Sequence, residues 1–259
     1  MRRLNLFLIS ATIGICGFAY PAHTQEQFPV GTVIAIQLDH TLDSRSSKPG
    51  QRIVAHIAQE TPLEDKRVIR VGAKVFGEVT EVEDALGHAK LGLRFDRLVL
   101  GKTEVTISTK MRALASALEV DSAKTSHLVG SDASNLGAQT TALIGGTEVV
   151  FRGGGEVENE HGEVVGRPVH GGVLAVVTNQ AGSKCEEIPV SKTPQAVWLF
   201  SSRACGMYGF RTLQFENGTN AKAGEILLTR KNKKDWRMTN IELPAGSAFL
   251  LAISGEPRH

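Results

Sequence analysis

The stretch FPVGTVIAIQL at residues 28–38 combines a tight turn with a run of alternating apolar residues that is typical of a β-strand. The same phrase returns as RVGAKVFGEV at residues 70–79 and as LPAGSAFLLAI at residues 243–253. In the first and third copies, proline suits the second position of a type I turn and glycine suits the fourth. The three copies place β-structure near both ends of the mature chain. We therefore expect one sheet that the last strand closes.

Further alternating runs lie between and after these copies. Residues 53–58 and 90–100 alternate apolar with polar side chains, and short polar turns separate them. Regular strands return in the last part of the chain. The pattern predicts an all-β fold, a closed barrel or sandwich of antiparallel strands. We expect residues 25–112 and 220–255 to form this β-barrel domain.

Residues 113–219 differ in character from the rest of the chain. The alanine-rich stretch Ala113–Leu118 predicts one short helix. Glycine then concentrates in FRGGGEVENEHGEVVGRPVHGG at residues 151–172. This run lacks the Gly-Lys-Ser/Thr ending of a phosphate-binding loop, so its glycines indicate tight turns and bulges. We expect an inserted, loop-rich β-subdomain over residues 113–219.

The N-terminus carries the pattern of a secretory signal. Met1-Arg2-Arg3 is basic, residues 4–18 are largely apolar, and small residues follow around Ala19. We expect a signal peptide over residues 1–24 and a periplasmic or secreted location in the cell envelope. An uncleaved anchor is the alternative, although the apolar run is short for a membrane span and no second run of that length follows.

The charge balance limits the classes of partner. The chain has 29 Lys and Arg and 27 Asp and Glu, and removal of Arg2 and Arg3 with the leader leaves 27 of each. A neutral chain lacks the basic face that phosphate binding needs, so we expect no nucleic-acid partner. We also expect no cofactor, and no integral membrane span after cleavage.

Two cysteines, Cys185 and Cys205, remain after cleavage. An exported chain enters an oxidising compartment, where two cysteines allow one intramolecular pairing. A disulfide between them would close a loop of about twenty residues and stabilise the fold by roughly 3 kcal/mol. A reactive thiol is the alternative, but no base is recognisable beside either cysteine.

The densest aromatic group of the sequence lies close to Cys205. Its members are Trp198, Phe200, Tyr208 and Phe210. In an exposed groove these rings could stack on a glycan or contact a partner, whereas packing around the disulfide is the alternative. We treat them as possible binding residues, and binding requires that Trp198 or Tyr208 is exposed.

Two histidines, His161 and His170, lie near three glutamates of the glycine-rich run, Glu158, Glu160 and Glu163. Zinc ligands usually come in closely spaced pairs, whereas these histidines are nine residues apart with a proline between them. We therefore expect no metal site. The same histidines would be the candidate bases if the protein were a hydrolase.

Four polar residues, Asp39, His40, Asp43 and Ser44, cluster in the turn after the first strand. A catalytic triad needs side chains that converge in space, which local clustering does not supply, and the chain has no Gly-x-Ser-x-Gly elbow. We expect the Asp and Ser side chains to bond the turn backbone. We predict no catalytic residues.

Residues 28–110 resemble the TrbI-type β-barrel domain of bacterial conjugation and type IV secretion channels. That domain opens with Pro-x-Gly-Thr-x-Ile, has a Pro-Gly-Gln turn and continues into glycine-containing strands. The matching positions are Pro29, Gly31, Thr32, Ile34, Pro49, Gly50, Gln51, Gly72, Gly77 and Leu98. The resemblance implies a β-barrel, an envelope location and a link to transport, and it carries over no catalytic residues. The chain also resembles a group of exported bacterial proteins.

These features predict a non-enzymatic cell-envelope protein that acts as a structural or assembly module through contacts with other envelope proteins. A ligand- or glycan-binding module that uses the aromatic group is the alternative function. A hydrolase is the less favoured third function.

Overall fold

A computed structural model describes residues 28–63, 67–85, 87–129, 138–151, 156–159, 161–169, 172–231 and 240–255. The predicted signal peptide at residues 1–24 lies outside the described residues. Glu160 and His170 lie outside them as well.

The structure contains twenty strands and one α-helix within these ranges. The first strands are β1 (Val33–Leu38), β2 (Leu42–Asp43), β3 (Arg52–Ile57), β4 (Thr61–Pro62), β5 (Val68–Ile69), β6 (Lys74–Ala85), β7 (His88–Leu100), β8 (Thr103–Thr106) and β9 (Thr109–Ala115). The helix α1 spans Ala117–Val129. The later strands are β10 (Ala138–Leu143), β11 (Gly146–Phe151), β12 (Val157–Asn159), β13 (Val164–Val169), β14 (Gly172–Ala175), β15 (Gln195–Val197), β16 (Gly206–Tyr208), β17 (Leu213–Asn217), β18 (Glu225–Lys231), β19 (Glu242–Leu243) and β20 (Ala248–Ile253).

The fold is all-β, as predicted. Ten strands form one sheet in the order β16-β9-β20-β1-β3-β6-β7-β18-β17, with β8 paired to β7. Neighbouring strands in this sheet are antiparallel except β16 and β9. The last strand, β20, lies between β1 and β9, so the expected joining of both ends of the chain in one sheet is confirmed.

The large sheet curls around one apolar core. Phe95 lies on β7 and Phe249 on β20, and three strands separate β7 from β20 in the sheet. Their rings nevertheless meet edge to face, with centroids 5.2 Å apart. In β1, Ile34, Ile36 and Leu38 alternate towards this core, as the two-residue period of a strand requires. In the order of the large sheet, every strand from β9 through to β17 contributes buried side chains to the same cluster.

The repeated phrase forms the same turn in all three copies. In the first copy, the Thr32 amide donates to the Pro29 carbonyl at 3.1 Å, and equivalent bonds of 3.2 and 3.0 Å close the second and third. Gly31 has a φ of 85°, and the matching glycines have 83° and 89°. Glycine therefore occupies the third turn position, where a type II turn requires positive φ. The predicted type I geometry, with proline second and glycine fourth, is wrong.

The alanine-rich stretch forms a strand, and the helix follows it. Because β9 extends through Ala115, the prediction of a helix over Ala113–Leu118 is wrong in position. The helix begins at Ala117, where the Ser116 Oγ accepts a hydrogen bond from the Glu119 amide at 3.3 Å. The Ser-x-x-Glu spacing is that of a capping box, which explains why the helix begins there.

A second, six-stranded antiparallel sheet lies within the predicted insertion, with its strands in the order β10-β11-β12-β13-β14-β15. Strands β16 and β17 also fall within residues 113–219, but they pair with strands β9 and β18 of the large sheet. Strand pairing therefore crosses the sequence boundary at residue 219.

The outer face of β9, β20 and β1 is covered by segments of the predicted insertion. These three strands present small side chains on that face, and Ala35, Ala113 and Ala248 are fully buried there. Helix α1, the cysteine loop (residues 176–194) and residues 199–204 pack against this face. Small side chains let these segments approach closely and form a second core.

Gln59 links the large sheet to the second one. Its Nε2 donates to the Ala196 carbonyl at 3.0 Å, and its Oε1 accepts from the amides of Trp198 at 3.3 Å and Leu199 at 3.0 Å. The side chain is buried. A single amide group thus provides hydrogen-bond partners for three backbone groups where a neighbouring strand would otherwise be needed.

The cysteine loop is fixed by the sulfur pair and by a buried arginine. The Sγ atoms of Cys185 and Cys205 lie at disulfide-bond distance, 2.04 Å, which fits the predicted pairing. Arg112 is the extra residue of a β-bulge, and its guanidinium donates to Asn179 Oδ1 at 2.5 Å and to the Thr178 carbonyl at 2.9 Å. Burial lowers the pKa of Arg112 to about 10. Among the described residues, Arg112 has no carboxylate partner, so its guanidinium is hydrogen-bonded to neutral oxygens.

Candidate functional site

A groove opens at the rim of the large sheet, between the β4–β5 hairpin and the turn from β7 to β8. Its volume is about 700 Å³. That volume is in the range of ligand and peptide sites, which often lie at the mouths of curled sheets. We call it the rim groove, and its lining residues are Leu63, Arg67, Val68, Ile69, Arg70, Ala73, Leu100 and Gly101.

The floor of the rim groove is apolar and continuous with the core of the large sheet. Leu63 and Ile69 are buried members of that core, and Ala73 and Leu100 pack against it while remaining partly exposed. A partner side chain that enters the groove would therefore contact apolar side chains that the packing of the core already holds in place. Burial of such a side chain contributes about 25 cal/mol for each Å² removed from water.

The rim of the groove is exposed, and it combines two arginines with Val68. Arg67 and Arg70 are exposed, and the described lining residues include no acidic side chain. Val68 and Val71 leave 43% and 58% of their surface in water. Val71 lies beyond the groove lining, so apolar surface continues outside the cavity. Exposed apolar side chains next to an apolar groove are typical of interaction sites.

Local sequence explains how these side chains come together. The hairpin pairs Thr61 with Ile69 and Pro62 with Val68, which turns alternate side chains towards the core. The second copy of the repeated phrase then makes the turn that leads into β6. Its Gly72 has positive φ, and the Gly72 amide donates to the Ile57 carbonyl at 2.9 Å. One wall of the rim groove is therefore built from the turn phrase.

A polar cluster adjoins this wall on the outer face of the sheet. The Asp39 carboxylate accepts from Lys74 Nζ at 2.7 Å and lies 2.6 Å from His56 Nδ1. His56 and Lys74 are register partners on β3 and β6. Burial acts to raise the pKa of Asp39, but the hydrogen bonds and charges of Lys74 and His56 outweigh it and lower the pKa below its ordinary value.

The Asp39 cluster was missed in the sequence because its partners are far apart along the chain. The sequence grouped Asp39 with its neighbours His40, Asp43 and Ser44, and His40 is exposed. The expectation that the turn side chains bond the turn backbone is confirmed for Asp43, whereas Ser44 bonds a backbone amide outside the turn. Asp43 Oδ1 accepts from the Arg45 amide at 2.8 Å, and Ser44 Oγ accepts from the Ile241 amide at 2.9 Å.

The predicted aromatic group is divided between two cores. Phe200 is fully buried in the core under the cysteine loop, where Trp198 and Tyr208 also pack and remain partly exposed. The Tyr208 hydroxyl donates to the Cys205 carbonyl at 3.2 Å and accepts from the Cys205 amide at 3.1 Å. Phe210 packs against the core of the large sheet instead. These rings do not form one stacking platform, and glycan binding stays a prediction.

The histidine and glutamate candidates are also dispersed. His161 is exposed in the turn before β13, and Glu158 belongs to β12. The Glu163 carboxylate pairs with the Arg203 guanidinium. Within the part of the chain that the structure describes, no three His, Cys, Asp or Glu side chains are placed to hold a metal ion.

A second depression, of about 490 Å³, lies between the cysteine loop and β17. Its lining carries both Lys110 and Lys184 and the acidic side chains of Glu186, Glu187 and Glu216. Mixed charges give this depression no net preference for an anion or a cation. The rim groove, with its apolar floor and basic rim, is the better defined candidate site.

Comparison with known proteins gives no family for this chain. Neither a protein-family model, nor a curated protein, nor a solved structure matches it. Across the described ranges, no helix is both long and apolar enough to cross a membrane.

Proposed function

We propose that this chain is an exported cell-envelope protein without enzymatic activity, which serves as an assembly module by docking a partner protein in the rim groove. The observation that carries the proposal is the groove itself. Its apolar floor is part of the core, its rim exposes Val68 and Arg70 to solvent, and Val71 is exposed beside it. Protein interfaces have this combination of an apolar centre and a polar rim.

A protein partner fits better than a small molecule because the apolar surface extends past the cavity. Val71 does not line the groove, yet more than half of its surface is exposed beside it. A small ligand held in the groove would leave Val71 in water. A protein surface that inserts one segment into the groove would cover the hairpin as well.

Two further observations support an envelope location. The N-terminal sequence has the pattern of a secretory signal, and the sulfur atoms of Cys185 and Cys205 lie at disulfide-bond distance. The resemblance of residues 28–110 to the TrbI-type domain supports a partner among secretion-channel components.

The experiment compares Val71→Asp with the matched control Leu118→Asp in cells that produce the chain. Leu118 lies on α1, outside the groove lining, and is 74% exposed. Both substitutions are on the surface and should change the free energy of unfolding by no more than about 0.5 kcal/mol. After reversible cross-linking and purification, we expect a partner protein with the wild type and with Leu118→Asp, and its loss with Val71→Asp.

Two results would contradict the proposal. One is an identical set of co-purified proteins for Val71→Asp and Leu118→Asp. The other is a catalytic turnover that a single polar substitution in this chain abolishes. Circular dichroism and thermal unfolding of each purified variant serve as the folding control.

A further inference from the structure

We infer that the rim groove selects an acidic segment, in which an apolar side chain enters the groove and a flanking carboxylate pairs with Arg70. This inference rests on the proposed function and names the chemistry of the partner at the same site.

The described lining residues of the groove carry charge of one sign. Arg67 and Arg70 are the charged side chains among its described lining residues. Two arginines of the large sheet are paired with acids. Arg94 lies 3.3 Å from Glu78, and Arg97 lies 3.0 Å from Glu104. Unlike Arg94 and Arg97, Arg70 has no acidic partner among the described residues.

Arg70 is the cation that is free to take a ligand. It is exposed, and in the described part of the chain its guanidinium has no hydrogen-bond or ion-pair partner. Its backbone is fixed, because its carbonyl accepts from the Ala73 amide at 3.2 Å. A guanidinium with unused donors recognises a carboxylate, which can accept two parallel hydrogen bonds.

The apolar part of the segment is defined by the floor. Leu100 offers partly exposed aliphatic surface above the buried Leu63 and Ile69, and the exposed Val68 forms part of the edge of the groove. An aliphatic side chain of the partner fits this lining without leaving an unpaired polar group buried. Arg70 lies at the edge, so the carboxylate flanks the apolar anchor instead of entering with it.

Three synthetic peptides test the inference on the full oxidised chain. Each is acetylated and amidated and has a central Leu-Val-Leu, flanked on both sides by two Glu, two Gln or two Lys. Binding is followed by methyl chemical shifts of the valines and leucines at low salt. We expect the Glu peptide to bind about fivefold more tightly than the Gln peptide, the upper range for one partly exposed ion pair. The Lys peptide should bind most weakly.

Two matched variants assign the effect to one side chain. Arg70→Gln should bind the Glu and Gln peptides equally, while its affinity for the Gln peptide stays within about twofold of the wild type. Arg211→Gln removes an exposed arginine outside the groove lining and should keep the fivefold preference. An equal loss of preference in both variants would overturn the assignment, because it would show a general effect of charge.

Other outcomes overturn the inference as well. These are equal binding of the Glu and Gln peptides, failure of all three peptides to bind, or tighter binding of dodecanoate than of the Glu peptide. Shifts of the same methyl groups on raising the protein concentration alone would assign the groove to a second copy of the chain. If the co-purified partner still depends on Val71 in any of these cases, the proposed docking function stands and only the acidic preference is lost.

Discussion

Replacement of Gln59 by leucine should weaken the link between the two sheets in a measurable way. The side chain is buried and makes three hydrogen bonds to backbone groups of residues 196–199. Leucine has a similar volume but leaves two amides and one carbonyl without this partner. At about 1 kcal/mol for each bond, Gln59→Leu should lower the free energy of unfolding by about 3 kcal/mol.

The matched control is Gln214→Leu, which alters an exposed glutamine on β17. We expect it to change the free energy of unfolding by less than about 0.5 kcal/mol. The assay is urea unfolding of both variants and the wild type without reductant, followed by circular dichroism. If Gln59→Leu destabilises the protein no more than Gln214→Leu does, the role assigned to Gln59 is wrong. Because Gln59 precedes the β4–β5 hairpin, the variant should also bind the groove partner less tightly.

Three further predictions concern stability. Replacement of both Cys185 and Cys205 by alanine should cost about 3 kcal/mol in urea unfolding, and dithiothreitol should destabilise the wild type but not the double variant. Asp39→Asn should destabilise the protein most at neutral pH, because folding lowers the pKa of Asp39. The difference in free energy of unfolding between the wild type and this variant should shrink as the pH falls below 3.8, which unfolding measured from pH 7 to pH 2 would reveal. Gly31→Ala should lower the thermal stability more than Gly50→Ala does. Both glycines have positive φ, but only at Gly31 would the new Cβ lie within 2.5 Å of a neighbouring backbone carbon. Equal losses of thermal stability would refute this reasoning.

The sequence allowed the large sheet to be predicted because its signal is local. Alternation in runs such as residues 33–38 and 90–100 depends only on the two-residue period of a strand, and most of it was confirmed. The helix was misplaced because Ala113–Ala115 fits a helix by composition. Those residues are a strand because small side chains let the insertion pack on this face. The capping box at Ser116 was the local signal that could have corrected the boundary.

The rim groove and the Asp39 cluster could not be found in this way. His56 and Lys74 meet Asp39 because β3 and β6 are aligned in register, which no local pattern specifies. The groove forms because a hairpin of two short strands stands beside the turn after β7. The repeated phrase did indicate the turn at Gly72, but only the fold shows that this turn is a wall of the groove.

The central claim is that the rim groove docks a partner protein, and site-specific photo-cross-linking tests it most directly. A photoreactive amino acid is placed at Val71, or at Leu118 as the control, in the full chain inside cells that produce it. We predict a discrete adduct with one partner protein at Val71 and no such adduct at Leu118. The absence of an adduct at Val71, or the same adduct at both positions, would contradict the claim.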